Sequence, residues 1–388
     1  MKPMDQICIR RQNVTRIWDL MSRNPRMTRQ KLAEASGLSL MTVTNLIDCL
    51  NRYHVLDFQP MVQPQMPGRR NAGRHADLIS LNTTRHAWVI LDLTDVHFRY
   101  CALSLDLATL PSSFVFPYDP LRDYNLNLKD FLRRVRGVME QEQKTREILG
   151  VAVVVPGPYD VTQDRVNNKR VEALNRINIK ALLRQETGLY DYYVDEDVKF
   201  SVRAFSDLAT QHECEVLYYL YMGEGVGGAV LHNGKVMRGL NAVAGDAAQM
   251  LTPDGTSYEA NLSLRTFARN CGIDPKPSDS WEDLQAAINR CALSDFSRYQ
   301  AAMLKSAELV GSMLHSVSCL LDPSQVVIDC PYITLYQDQF MAHIRARLST
   351  LLGSELAVPQ MIPSPYALRC VILGATQVLS HQWIERVI

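Results

Sequence analysis

Residues 218–235 read YYLYMGEGVGGAVLHNGK. An apolar run enters a cluster of four glycines within six residues, Gly223, Gly225, Gly227 and Gly228, and a second apolar run leaves it for Asn-Gly. Glycines so placed allow backbone N–H groups to close on a phosphate, because a Cβ would block the approach. Whether that loop still serves a nucleotide is decided by residues elsewhere in the chain.

Outward from this loop, strand runs alternate with helical patterns from about residue 82 onward. Apolar strands are expected at 87–93, 98–105, 148–155, 215–222, 226–231 and 325–329. Helices are expected at 127–146, 178–187, 200–210, 262–271, 281–293, 296–320, 335–352 and 366–385. The alternation implies mixed sheets covered by helices, arranged as two lobes around a cleft.

The first eighty residues differ. They carry twelve Lys/Arg against six Asp/Glu, a net +6, while the remaining 308 carry 29 against 35, a net −6. A basic head on an acidic body suggests a polyanionic partner for the head. Val14, Ile17, Trp18 and Met21 follow the i, i+3, i+4, i+7 spacing of a buried helical face, and Pro25 ends that helix. Thr28 caps a second helix with Leu32 and Ala33 inward and Gly37 at its end. Ser39 caps a third, whose inward face is Val43, Leu46, Ile47 and Leu50. Three helices with a short glycine turn before the last form a helix-turn-helix. The third helix then offers Met41, Thr42, Thr44 and Asn45 to base edges in a major groove, with Ser39 beside phosphate. VLDFQPMVQPQMPGRRNAGRHADLISLN (55–82) gives two strands, 55–59 and 77–81, around a wing bearing Arg69, Arg70 and Arg74, suited to a narrow minor groove.

The chain is 388 residues long, 47% hydrophobic and 21% charged, which suits two or three soluble domains. No apolar run approaches the roughly 20 residues of a membrane span. The N-terminus MKPMDQICIRRQ lacks a signal-peptide core. Nine cysteines stand singly without a Cys-x-x-Cys pair, as expected of reduced thiols in the cytoplasm. Cys101, Cys319 and Cys370 lie in apolar segments and read as core thiols. The His-Glu-Cys run at 212–214 reads as a surface turn.

In order and motif the chain resembles the ROK family of repressors and sugar kinases, which share a two-lobed actin-like (ribonuclease H-like) fold. The head, residues 1–81, is similar to the family's winged helix, and GRHADLISLN (73–82) to its exit into the first body strand. GVAVVVPGP (150–158) resembles the family's strand and Pro-Gly-Pro turn. NGKVMRGLNAVAGDAAQM (233–250) resembles its segment from the second phosphate loop into the sugar site. The resemblance implies a two-lobed body over 82–388, lobe one being about 82–198 plus the C-terminal helix and lobe two about 199–366.

Against the family's kinases, the catalytic residues are altered. Their first strand opens into Asp-x-Gly-Gly-Thr around the ATP phosphates; VILDLTDVHFR keeps Asp92 but places Thr94, Asp95 and Val96 on the remaining positions. Their adenosine-side Gly-Gly becomes Asp329-Cys330. YVDEDVKFSVRAF (193–205) aligns with Glu-Asn-Asp-Ala-Asn: Asp197 matches the general base, while Glu196 and Lys199 replace both asparagines. Asp197 is left either to accept hydrogen bonds from sugar hydroxyls or to pair with Lys199. Gly-Glu-Ile-Gly-His becomes Gly245-Asp246-Ala247-Ala248-Gln249, Glu259 matches a sugar-contacting Glu, and Ser257 stands where the last zinc cysteine would be. The resemblance therefore implies neither zinc nor ATP, a retained phosphate-type loop, and a sugar or sugar-phosphate effector at Asp197, Asp246, Gln249 and Glu259. It also implies a homodimer, possible pairing of dimers, and a near-palindromic operator in double-stranded DNA. An active kinase with a DNA-binding head, and a regulator governed by a protein partner, are the alternatives.

Overall fold

The computed structural model describes residues 3–60, 77–94, 98–119, 121–206, 215–252, 254–276, 278–365 and 369–388. The three head helices are α1 (Pro3–Arg23), α2 (Arg29–Ser36) and α3 (Leu40–Asn51). Thr28 and Ser39 cap α2 and α3 through their hydroxyls, and Gly37 takes a φ of +66° between them. The predicted inward faces are buried, with Ser36 added and Ala33 only half-buried. Strands β1 (Leu56–Pro60) and β2 (Asp77–Leu81) pair antiparallel. Met27 and Ile79 exchange backbone hydrogen bonds of 3.0 and 2.8 Å, tying the helices to the wing strands. The fold is a winged helix-turn-helix followed by a two-lobed, actin-like α/β body.

The chain divides into two compact units. The first comprises 1–156, 161–195 and 375–388, and the second 157–160 and 196–374. The sheet of the first unit uses β3 (His86–Asp92), β4 (Arg99–Leu103), β5 (Phe114–Val115), β6 (Glu147–Val155) and β7 (Tyr193–Glu196), in the order β5-β4-β3-β6-β7. The second uses β8 (Val216–Met222), β9 (Val226–His232), β10 (Lys235–Val236), β11 (Gln325–Asp329) and β12 (Gln360–Pro363), in the order β10-β9-β8-β11-β12. Counted within each sheet, both orders are third, second, first, fourth, fifth. In both, the first three strands form an antiparallel meander and the fourth returns parallel to the first. β3 and β11 are almost wholly buried, as continuous apolar strands must be when both faces are covered.

Four strands lack the apolar run that would announce them: β5, β7, β10 and β12. β5 and β10 have two residues each, and β12 is an edge strand carrying Pro363, where a missing N–H leaves no gap in the ladder. The helix expected over 262–271 is two helices, Tyr258–Leu262 and Leu264–Asn270, meeting at extended Ser263. The pattern over 200–210 resolves into a short helix, Asp197–Ser201, and a 3₁₀ turn to Phe205, and residues 207–214 lie outside the described set. Cys370 is buried and Cys101 half-buried, but Cys319 is exposed. It lies on the outer face of the helix Phe296–Leu321 beside Leu320, which is 76% exposed. Among the described residues no helix is long and apolar enough to cross a membrane.

Within the first unit an aromatic junction joins the head to the body. Trp18 of α1 lies 5.4 Å from Trp383 of the C-terminal helix (Cys370–Val387) and 6.3 Å from Trp88 of β3, ring centre to ring centre. Tyr53, after α3, meets Trp383 at 5.6 Å and donates to the Val387 carbonyl at 2.6 Å. His381 approaches Asp19 at 3.2 Å. Burial of large aromatic surfaces at these centroid separations adds ring–ring attraction to area burial. Trp383→Ala should therefore destabilise the first unit by about 3–5 kcal/mol, read from the denaturant midpoint. An unchanged midpoint would show that the head is not held through these rings.

Candidate functional site

The candidate DNA-reading surface is the start of α3. Ser39 Oγ accepts from Thr42 N at 3.1 Å and lies 2.8 Å from the Thr42 hydroxyl. Thr44 donates its hydroxyl to the Leu40 carbonyl at 2.8 Å. Both threonines are half-buried, whereas Met41 and Asn45 are exposed. Met41 and Asn45 are therefore the side chains most free to reach a base, while the two threonine hydroxyls are partly committed to the helix. Arg69, Arg70 and Arg74 lie outside the described residues.

In the second unit, the glycine loop joins β8 to β9. Gly223 N donates to the Gly225 carbonyl at 2.7 Å, and Leu264 N donates to the Gly223 carbonyl at 2.7 Å. A Cβ on Gly228 would collide with the Gly245 carbonyl and the Tyr218 hydroxyl, and one on Gly227 with Val198. Gly245 has a φ of +90° and lies against Ala229, so neither it nor Gly228 accommodates a side chain. Tyr218 is buried and donates to the Gly245 carbonyl at 3.1 Å. This close backbone contact fixes the segment that presents Asp246.

Asp246 opens the 3₁₀ turn Ala247–Gln249. Its Oδ1 is buried without a hydrogen-bond partner. Burial, and then the nearby Glu259 carboxylate, push its pKa from 3.8 to about 6. Lys199 and Asp197 also lie within electrostatic reach of Asp246. Gln249 donates its amide to Glu259 at 2.8 Å. Half-buried Asp197, the first residue of its helix, accepts from Val198 N at 2.7 Å. The partners of Lys199 are the buried Glu196, 2.5 Å away, and the Ala242 carbonyl. Glu196 also accepts from Tyr159 N at 2.8 Å. The two residues that replace asparagines thus form an ion pair three residues apart, where the sequence reading offered Asp197 as the partner of Lys199.

In the loop where the family carries zinc cysteines, the Asp254 carboxylate accepts from the Thr252 and Thr256 hydroxyls and from Thr256 N. These bonds, Thr252's foremost, hold Asp254 down at about 2. Ser257 caps the helix Tyr258–Leu262, accepting from Ala260 N at 3.2 Å. Among the described residues no three His, Cys, Asp or Glu side chains converge as metal ligands.

The nucleotide-side positions are filled from within the chain. In the first unit Asp92 Oδ1 accepts from Thr94 N at 3.0 Å and from the Thr94 hydroxyl at 2.6 Å. Its Oδ2 pairs with Arg99 at 3.2 Å. Asp95 and Val96 lie outside the described residues. In the second unit Asp329 is buried and accepts from the Tyr219 hydroxyl at 2.7 Å, and burial raises its pKa. Cys330 is buried beside it. The Thr94 turn, Arg99 and the Tyr219 pair have no signal in the sequence.

Asp246 binds its proton more tightly folded than unfolded. Its contribution to stability is therefore complete below about pH 4 and is lost as pH rises through about 6. Relative to the parent, Asp246→Asn should gain on the order of 3 kcal/mol between pH 4 and pH 7. Urea unfolding at both values measures this, and identical pH dependence in parent and variant would contradict the buried, unpartnered carboxylate.

The model of the ROK family matches residues 120–380. No curated protein matches the chain in sequence. Among solved structures, a ROK family transcriptional regulator, homologous to the E. coli MLC protein, superposes with a TM-score of 0.65 at 15% identity, covering 98% of each chain. A ROK hexokinase from Thermus thermophilus gives 0.57 at 19% identity, covering 75% of this chain and 97% of its own. A ROK family glucokinase from Streptomyces griseus, in complex with glucose and AMPPNP, gives 0.59 at 16%, covering 75% and 98%. At these identities the likeness is one of fold. Since the family model spans more than half of its length, the chain belongs to the ROK family.

Proposed function

We propose that the chain is a sequence-specific, DNA-binding transcriptional regulator, acting as a repressor of sugar-related genes. In this reading the kinase-like body has lost ATP-dependent phosphorylation and senses a sugar or sugar phosphate. It binds neither zinc nor ATP, works in the cytoplasm, and engages a near-palindromic operator as a homodimer whose third helices enter successive major grooves about 34–36 Å apart. The observation that carries the reading is α3, capped by Ser39 and presenting Met41 and Asn45 outward from a buried Val43–Leu46–Ile47–Leu50 face. The pairing of Asp92 with Thr94 and Arg99 supports it. So does coverage: the regulator structure accounts for 98% of this chain and the two kinases for 75%.

A second reading, control of the body by a protein partner, has one observation in its favour. Leu240, Val243 and Leu251, on the segment that carries Asp246, are 94%, 48% and 68% exposed. Neighbouring exposed apolar residues of this kind suit a protein contact. Thermal shifts against a panel of sugars and sugar phosphates separate the two readings, because a ligand of the folded state raises its melting temperature.

Footprinting of genomic fragments bound by the full chain identifies the operator. On it, Arg69→Ala with Arg70→Ala should weaken binding and flatten the salt dependence by roughly 0.9 in log–log slope for each phosphate no longer neutralised. Asn45→Ala should cost about 1–3 kcal/mol and relax preference at one base position. Affinity unchanged at two salt concentrations would count against the wing, and failure to bind any fragment at low salt would overturn the proposal.

A further inference from the structure

Two thiols meet in the second unit, away from the residues discussed so far. Cys271 ends the helix Leu264–Asn270, and Cys291 lies on the helix Trp281–Ser294. The Cys291 thiol donates to the Cys271 carbonyl at 3.5 Å and is also within hydrogen-bond reach of the Cys271 thiol. The Cys271 thiol sits in the core, 2% exposed, while Cys291 lies at the core's margin, half-buried. Arg298 lies over Gly272, whose φ of +75° turns the chain out of the first helix, and its guanidinium faces Cys271.

We propose that Cys271 and Cys291 form a redox-reactive dithiol that a peroxide converts into an intramolecular disulfide. The inference stands independently of the DNA-binding reading. The accessible Cys291 reacts first. Its thiolate sulfur attacks one peroxide oxygen, the O–O bond breaks, and water leaves once the departing hydroxide takes a proton, giving a sulfenic acid. The Cys271 sulfur then attacks the Cys291 sulfur, the S–O bond breaks, and a second water carries off the hydroxyl with the Cys271 proton. The dithiol loses two electrons and two hydrogens, and the peroxide gains them. Burial and the neighbouring thiol push the Cys271 pKa up to about 12, so Cys271 stays protonated until its partner is oxidised. Arg298 stabilises the thiolate as it forms.

The bond would staple the far end of a helix whose near end holds the glycine loop. There Leu264 N binds the Gly223 carbonyl, and Arg265 pairs with Glu224 at 3.2 Å. Oxidation thus reaches the elements that position the loop without entering the Asp246 site.

Peptide mapping of the full chain tests this. Protein titrated with hydrogen peroxide is alkylated under unfolding conditions and digested without reduction. The expected product is one cross-linked peptide pair carrying Cys271 and Cys291, with both of these thiols lost to alkylation and both restored by dithiothreitol. Cys291→Ser should leave Cys271 a free thiol, and Cys319→Ser should leave the cross-link yield unchanged. The result that overturns the proposal is Cys271 and Cys291 both remaining alkylatable at peroxide levels that fully oxidise the exposed Cys8 and Cys319. Cross-linking of either to a different cysteine would overturn it as well. Because the mapping is done on the unaltered chain, the outcome does not depend on the folding of any variant.

Discussion

Both oxygens of Asp92 are occupied by the chain that carries them. Thr94 takes one through its N–H and its hydroxyl, and Arg99 takes the other. A charged partner and two short hydrogen bonds must be released before this carboxylate can serve a metal-bound triphosphate, and hydrogen bonds to charged groups are among the stronger ones. At the end of β11 in the second sheet, the Asp329 carboxylate likewise has a partner within the chain, the Tyr219 hydroxyl. Thr94 and Asp329, which stand where the family's kinases carry glycines, are thus more than missing glycines: each has an internal partner.

The segments that align with the family's sugar side are held in place by different means. Gly228 and Gly245 keep two backbones in contact, and this positions Asp246 whatever its neighbours have become. Lys199 brings a buried positive charge to the site, and Glu196 neutralises it. Around Asp254, hydroxyl–carboxylate bonds brace the loop. Asp246 Oδ1 is buried without a hydrogen-bond partner, and an unmade bond to a buried acceptor is unfavourable.

Much of this is legible in the sequence because it rests on local rules. Caps at Thr28 and Ser39, the stop at Pro25 and the turn at Gly37 follow from backbone chemistry within a few residues, and the observed elements begin and end there. Long apolar strands such as β3, β6 and β8 are equally plain. Two-residue strands and the proline-bearing edge strand β12 carry too little pattern to be read. The pairings that define the site are hidden for another reason. Thr94 with Asp92, Tyr219 with Asp329, and Gly228 with Gly245 are set by tertiary approach, and a family resemblance shows only that a residue has changed. Cys319 reads as a core thiol and is not one, because an apolar segment of a helix still has an outer face.

The head is part of the first unit rather than a loosely tethered module. Trp18, Trp88, Trp383 and Tyr53 join α1, the first body strand and the C-terminal helix in one apolar contact. That helix starts at Cys370, within the second unit's share of the chain, and ends at Val387, beside the head. Within the first unit the last turns of this helix thus pack directly against the head. The claim on which the whole account depends is that this body no longer takes a nucleotide. Titration of the full chain with ATP and magnesium by calorimetry, with and without a saturating hexose, tests it most directly. The account predicts no saturable heat and no hexose phosphate formed; saturable one-to-one binding accompanied by turnover would contradict it.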